Sequence, residues 1–128
     1  MNPFEAMVAA QLTDLLRAGA PPRAVRLTVR ELVVERIVRE PLGPREISET
    51  VESTVRAACG LVSELGASAE WVEIVWSASF EAVRGHGGES ARWLAQATSA
   101  VSSVLEQMIV ERAEEPAWSW LAQRLAHG

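Results

Sequence analysis

Apolar residues recur at three- and four-residue spacing along almost the whole chain, the period of a helix with one buried face. The first such stretch opens on Asn2-Pro3-Phe4-Glu5. Asn suits the cap, Pro the first helical position, and Glu the third position of a capping box. Phe4, Met7, Val8, Leu12, Leu15 and Leu16 then share a face, Gly19 supplies a left-handed stop, and Pro21-Pro22 prevents continuation.

From Pro22 to Glu40 two readings compete. Val25, Val29, Leu32, Val33 and Ile37 form a helical stripe, with Leu27, Val34 and Val38 on a second side. Val25, Leu27 and Val29 also alternate, as a strand would. The pairs Glu35/Arg39 and Arg36/Glu40, spaced for i,i+4 contact, decide for helix, and no neighbouring segment could pair with a strand.

After the break Pro41-Leu42-Gly43-Pro44, a third helix carries Ile47, Val51, Val55, Ala58, Val62 and Leu65, with Gly66 as its stop. Its small residues Ala57-Ala58-Cys59-Gly60 would let another helix approach closely. The fourth helix, about 69–84, confines Glu70, Glu73, Ser77, Glu81 and Arg84 to one stripe and is apolar over the remaining arc. That pattern predicts a central position, surrounded by other helices. Gly85-His86-Gly87-Gly88 reads as a turn. A fifth helix is expected from about Ser90 to Arg112, facing inward through Leu94, Ala97, Val101, Val104, Leu105 and Met108. Pro116 starts a last helix with Trp118, Leu121 and Leu125 on one face and Trp120 on the other.

The expected fold is therefore all-α, one compact bundle of five to six helices with the fourth at the centre, forming a single domain over 1–128. A shift of 47 residues places Glu5, Val8, Ala10, Gly19, Ala20 and Val25 on Glu52, Val55, Ala57, Gly66, Ala67 and Val72. A duplicated helical hairpin is one reading of that register.

Composition narrows the function. At 128 residues with 48% hydrophobic and 23% charged residues, the chain can bury a sizeable core. Neither a secretory signal nor an apolar run long enough to span a membrane is visible, so a soluble, cytoplasmic protein is expected. All basic residues are Arg, and Lys and Tyr are both absent. Lysine nucleophiles and the P-loop lysine are thereby excluded. Charge is unevenly spread. Between Arg17 and Arg45 seven arginines face Glu31, Glu35 and Glu40, a net of +4. From Glu46 onward five arginines face twelve acidic residues, a net of −7.

No catalytic constellation emerges. His86 and His127 lack the spacing that sets metal ligands on one helix face, and the lone Cys59 sits among small apolar residues that would raise its pKa. The carboxylate groups Glu70/Glu73, Glu49/Glu52 and Glu111/Glu114/Glu115 fall on polar stripes or helix ends, where water keeps them ordinary. Nucleic-acid binding is disfavoured because the helix after the Pro44 turn presents Glu46, Glu49 and Glu52. The expectation is a non-enzyme with no catalytic residue, no metal and no cofactor.

Three functions remain. The preferred one is a non-catalytic interaction protein, a self-associating adaptor or regulatory module, with a homodimer as the commonest form and another protein as a further partner. Its candidate interface is Trp118, Trp120, Leu121, Arg26 and Arg30, since Trp at a chain end often marks a contact. The first alternative is a bundle holding a small apolar ligand near Trp71, Trp76, Phe80 and Trp93, although Trp71, Trp76 and Trp93 would also serve as core. The second alternative is an amphipathic protein on a membrane or granule surface, which the absence of Lys and the acidic balance weaken.

Overall fold

The computed structural model describes residues 2–39, 43–86 and 92–127. Six helices follow one another: α1 (Pro3–Arg17), α2 (Pro22–Arg39), α3 (Pro44–Leu65), α4 (Glu70–His86), α5 (Leu94–Glu111) and α6 (Pro116–His127), with no strand among the described residues. The all-α bundle expected from the periodicity is what forms, and α2 is helical over its whole length. The Pro41-Leu42 break, Glu40 and the Gly87-Gly88 pair lie outside the described residues, as do Glu89 and Ser90. His86 closes α4 and so belongs to a helix end.

The helix starts and stops follow local chemistry. The side-chain oxygen of Asn2 accepts from the Glu5 backbone N–H at 2.7 Å. Its amide donates to Ser53 Oγ at 3.0 Å, so the cap also ties α1 to α3. α1 and α3 both end at a left-handed glycine, Gly19 with φ 68° and Gly66 with φ 69°. These are the positions that the 47-residue shift superimposes, so both hairpins turn on the same device.

Pairing between helices skips a neighbour. α1 packs chiefly on α3 and α2 chiefly on α4, while α3 also takes α4 and α5. α6 closes against α5, and Arg124 of α6 reaches Glu73 of α4 at 2.9 Å. All six helices contribute to one buried cluster.

The centre of that cluster is α3, which corrects the expectation for α4. α3 buries eleven residues and α4 six. The reason is chemical. Thr50, Ser53 and Thr54 read as a polar stripe, yet all three are buried with their hydroxyls engaged. Thr50 Oγ1 donates to the Glu46 carbonyl at 2.7 Å and accepts from Arg36 Nε at 3.0 Å. Thr54 Oγ1 donates to the Val51 carbonyl at 2.7 Å. A hydroxyl satisfied by its own helix costs little to bury. α4 keeps Trp71, Ile74, Trp76 and Phe80 only half-buried, packed against the core from outside.

Arg36 locks three helices together. Besides donating to Thr50 of α3, its guanidinium lies 4.7 Å from the ring centre of Phe4 in α1, a cation–π contact. Its expected partner Glu40 is outside the described residues. Glu35 and Arg39 do form the i,i+4 ion pair that the spacing predicts.

Candidate interaction surface

α2 buries Val25, Val29, Leu32, Val33 and Ile37. Its second stripe points away from the core: Leu27 is 48% exposed, Val34 37% and Val38 66%. At about 100° per residue, these three side chains fall within roughly 40° of one another around the helix. By the same geometry Arg23 and Arg30 lie about 40–60° to one side of Leu27, and Glu31 and Glu35 about 40–80° to the other. The result is an apolar strip with a basic flank and an acidic flank.

Two arginines of α2 bridge to other helices: Arg26, its side chain 38% exposed, binds Glu81 and Ser77 of α4, and Arg36 is held by Thr50 of α3 and Phe4 of α1. Among the described residues, neither Arg30 nor Glu31 enters an ion pair, while Glu35 is taken by Arg39. Arg30 is therefore placed as the sequence suggests for an interface, whereas Arg26 is a strut between α2 and α4.

The terminal helix departs from expectation. Trp118 and Leu121 are wholly buried, and Trp118 is the largest fully buried side chain of the protein. Neither is available at a surface, so the candidate interface loses both. Trp120, on the other face, is 38% exposed. One sequence signal did point this way. Trp118 shares its face with Leu121 and Leu125, whereas Trp120 has no apolar companion on its own.

A groove opens where α4, α5 and α6 meet. One hollow of about 890 Å³ is lined by Trp76, Leu105, Ile109 and Leu125 with Glu73, Glu106 and Arg124 among its polar members. A second, of about 470 Å³, adjoins it through Glu73, Trp76 and Leu125 and runs on to Phe80 and Arg84. Trp76 and Phe80 meet edge to face, with ring centres 5.8 Å apart and planes at 89°. The indole N–H of Trp76 is buried without a hydrogen-bond partner. Of the four residues suggested for an apolar ligand, Trp76 and Phe80 line this groove. Trp71 and Trp93 do not, although both pack partly buried against the core.

The ionisable groups offer little else. Cys59 is buried, and burial pushes its thiol up to about 12, against a smaller opposing pull from Arg56. Glu49, Glu52, Glu73 and Glu115 are drawn into ion pairs with Arg45, Arg56, Arg124 and Arg112. Among the described residues no three His, Cys, Asp or Glu side chains gather as metal ligands would. No helix among them is long and apolar enough to cross a membrane. Comparison with family models, with curated proteins and with solved structures finds no match to this chain.

Proposed function

We propose that this chain is a non-catalytic interaction protein that self-associates through the outward face of α2. The observation that carries the reading is the strip Leu27, Val34 and Val38, exposed between the uncommitted charges of Arg30 and Glu31. Six such side chains across a symmetric contact contribute on the order of 9 kcal/mol, taking about 1.5 kcal/mol each because they start half-covered. Association costs about 4 kcal/mol or more in lost freedom of motion. With the cost at about 4 kcal/mol, the difference of about 5 kcal/mol corresponds to a concentration-dependent dimer with a Kd on the order of 0.2 mM.

Sedimentation velocity over a wide loading range tests this directly. The wild type is expected to shift from monomer toward dimer as concentration rises. A Val34→Asp, Val38→Asp double variant is expected to stay monomeric throughout, with unchanged circular dichroism because both side chains are on the surface. A wild type that remains monomeric up to millimolar concentration defeats the proposal.

The groove supports a second reading, a small apolar ligand seated against Trp76 and Phe80. Titration with anilinonaphthalene sulfonate is then expected to quench indole emission, and Leu125→Arg to abolish the quenching. A flat titration of the wild type removes this reading.

A further inference from the structure

We infer that the second copy docks α2 against α2 about a two-fold axis parallel to the helix, so that each residue of the strip meets its own counterpart. This rests on the self-association proposed above and specifies its geometry.

The two flanks of the strip decide the orientation. A two-fold axis perpendicular to α2 turns the partner helix end for end but leaves each flank on its own side. Arg23 and Arg30 would then face the partner's arginines, and Glu31 and Glu35 the partner's glutamates. Like charges brought together at a contact cost several kcal/mol. An axis parallel to α2 exchanges the flanks instead. Arg30 then faces the partner's Glu31 and Glu35, and the exchange occurs twice by symmetry. Charges flanking an apolar seam select helix orientation in this way in coiled coils.

The alternative occupant of the strip is the groove between α4, α5 and α6 of another copy. The groove is long enough. Glu73 to Arg84 along α4 and Leu27 to Val38 along α2 both span eleven steps, about 16 Å at 1.5 Å per residue. That arrangement is heterologous, however, even though the groove carries charges of both signs, Glu106 and Arg84 among them. It also leaves a free strip at one end and a free groove at the other, so that association continues into rings or filaments. The parallel two-fold contact closes on itself.

Single-cysteine cross-linking discriminates these geometries, because native Cys59 is buried and leaves the wild type as a blank. Leu27→Cys, Val34→Cys and Val38→Cys are each oxidised mildly at a concentration where the wild type sediments as a dimer. Under a parallel two-fold axis all three link to themselves, since every position faces its own copy within the Cα separation of about 4.4–6.8 Å that a disulfide requires. An antiparallel contact links at most the one position nearest the axis, and links a Leu27→Cys and Val38→Cys mixture preferentially. A head-to-tail contact links none. Either of those patterns overturns the inference while leaving self-association standing. A wild type that is monomeric by sedimentation overturns both. As a second readout, Arg30→Glu is expected to weaken the dimer several-fold, and adding Glu31→Arg in the same chain to restore it. A double variant no tighter than the single one counts against the parallel contact.

Discussion

Replacing Trp118 with alanine is expected to remove about 3–5 kcal/mol of stability, the usual cost of emptying a buried tryptophan site. The whole stability of a protein this size is on the order of 5–15 kcal/mol, so the variant approaches the edge of folding. Trp118 is the residue through which α6 enters the common core, with Leu121 beside it. The remaining ties of α6 are the partly buried Ala117 and Leu125 at the edge of the core and the half-exposed Arg124–Glu73 pair, and pairs open to solvent contribute little. The loss is therefore expected to appear first as detachment of α6, seen as early loss of amide exchange protection over 116–127. Trp118→Phe is the informative control. The indole N–H is buried with no acceptor, and an unpaired buried donor costs about 1–3 kcal/mol. Phenylalanine removes that penalty along with part of the packing, so its net effect should be small. Urea midpoints for the two variants check this. Equal losses would mean that Trp118 holds α6 through shape alone.

Stability is expected to fall steeply on the alkaline side, and through one residue. With no Lys and no Tyr in the chain, and with arginines titrating above about 12, Cys59 is the side chain left to ionise between pH 9 and 11. Its ordinary value is 9.0 and burial raises it to about 12 in the folded protein. Above pH 9 the unfolded chain loses the thiol proton while the folded chain keeps it. The folded state therefore binds more protons, and stability drops as pH rises. The slope is about 1.4 kcal/mol per pH unit, so the loss is on the order of 3 kcal/mol by pH 11. Below pH 9 the contribution is fully present. Cys59→Ser carries no ionisable thiol and should give a flat profile over the same range. A wild-type profile as flat as that of the serine variant would show that the folded thiol titrates normally.

How much of this was legible depended on what each residue does to the backbone. The helix ends were, because Asn2-Pro3, Pro22, Pro44 and Pro116 open helices by restricting their own geometry, and Gly19 and Gly66 stop them by accepting a positive φ. The identity of the central helix was not. A polarity pattern counts Thr50, Ser53 and Thr54 as solvent-facing, and only the folded chain shows their hydroxyls returned to neighbouring partners. The terminal Trp pair was half legible. Opposite placement was plain from the spacing, but the inward member is identified by its companions Leu121 and Leu125. The candidate surface on α2 was visible as a second stripe. That it is the outward one follows from the wider apolar face, Val25 through Ile37, which takes the buried side.

The alternating partnership of the helices has a consequence for how the chain folds. α1 and α2 are joined by a short turn yet make little contact with each other, and their main partners are α3 and α4. A hairpin without an interior of its own does not persist alone, since isolated helices of this length are marginal in water. The N-terminal forty residues must therefore wait, apolar faces uncovered, until the second hairpin reaches them. α3 and α4 bury surface against each other locally, but covering α1 and α2 requires loop closure over some fifty residues, which slows folding relative to a bundle of adjacent pairs. The exposed interval before α4 arrives is when this protein is most open to aggregation.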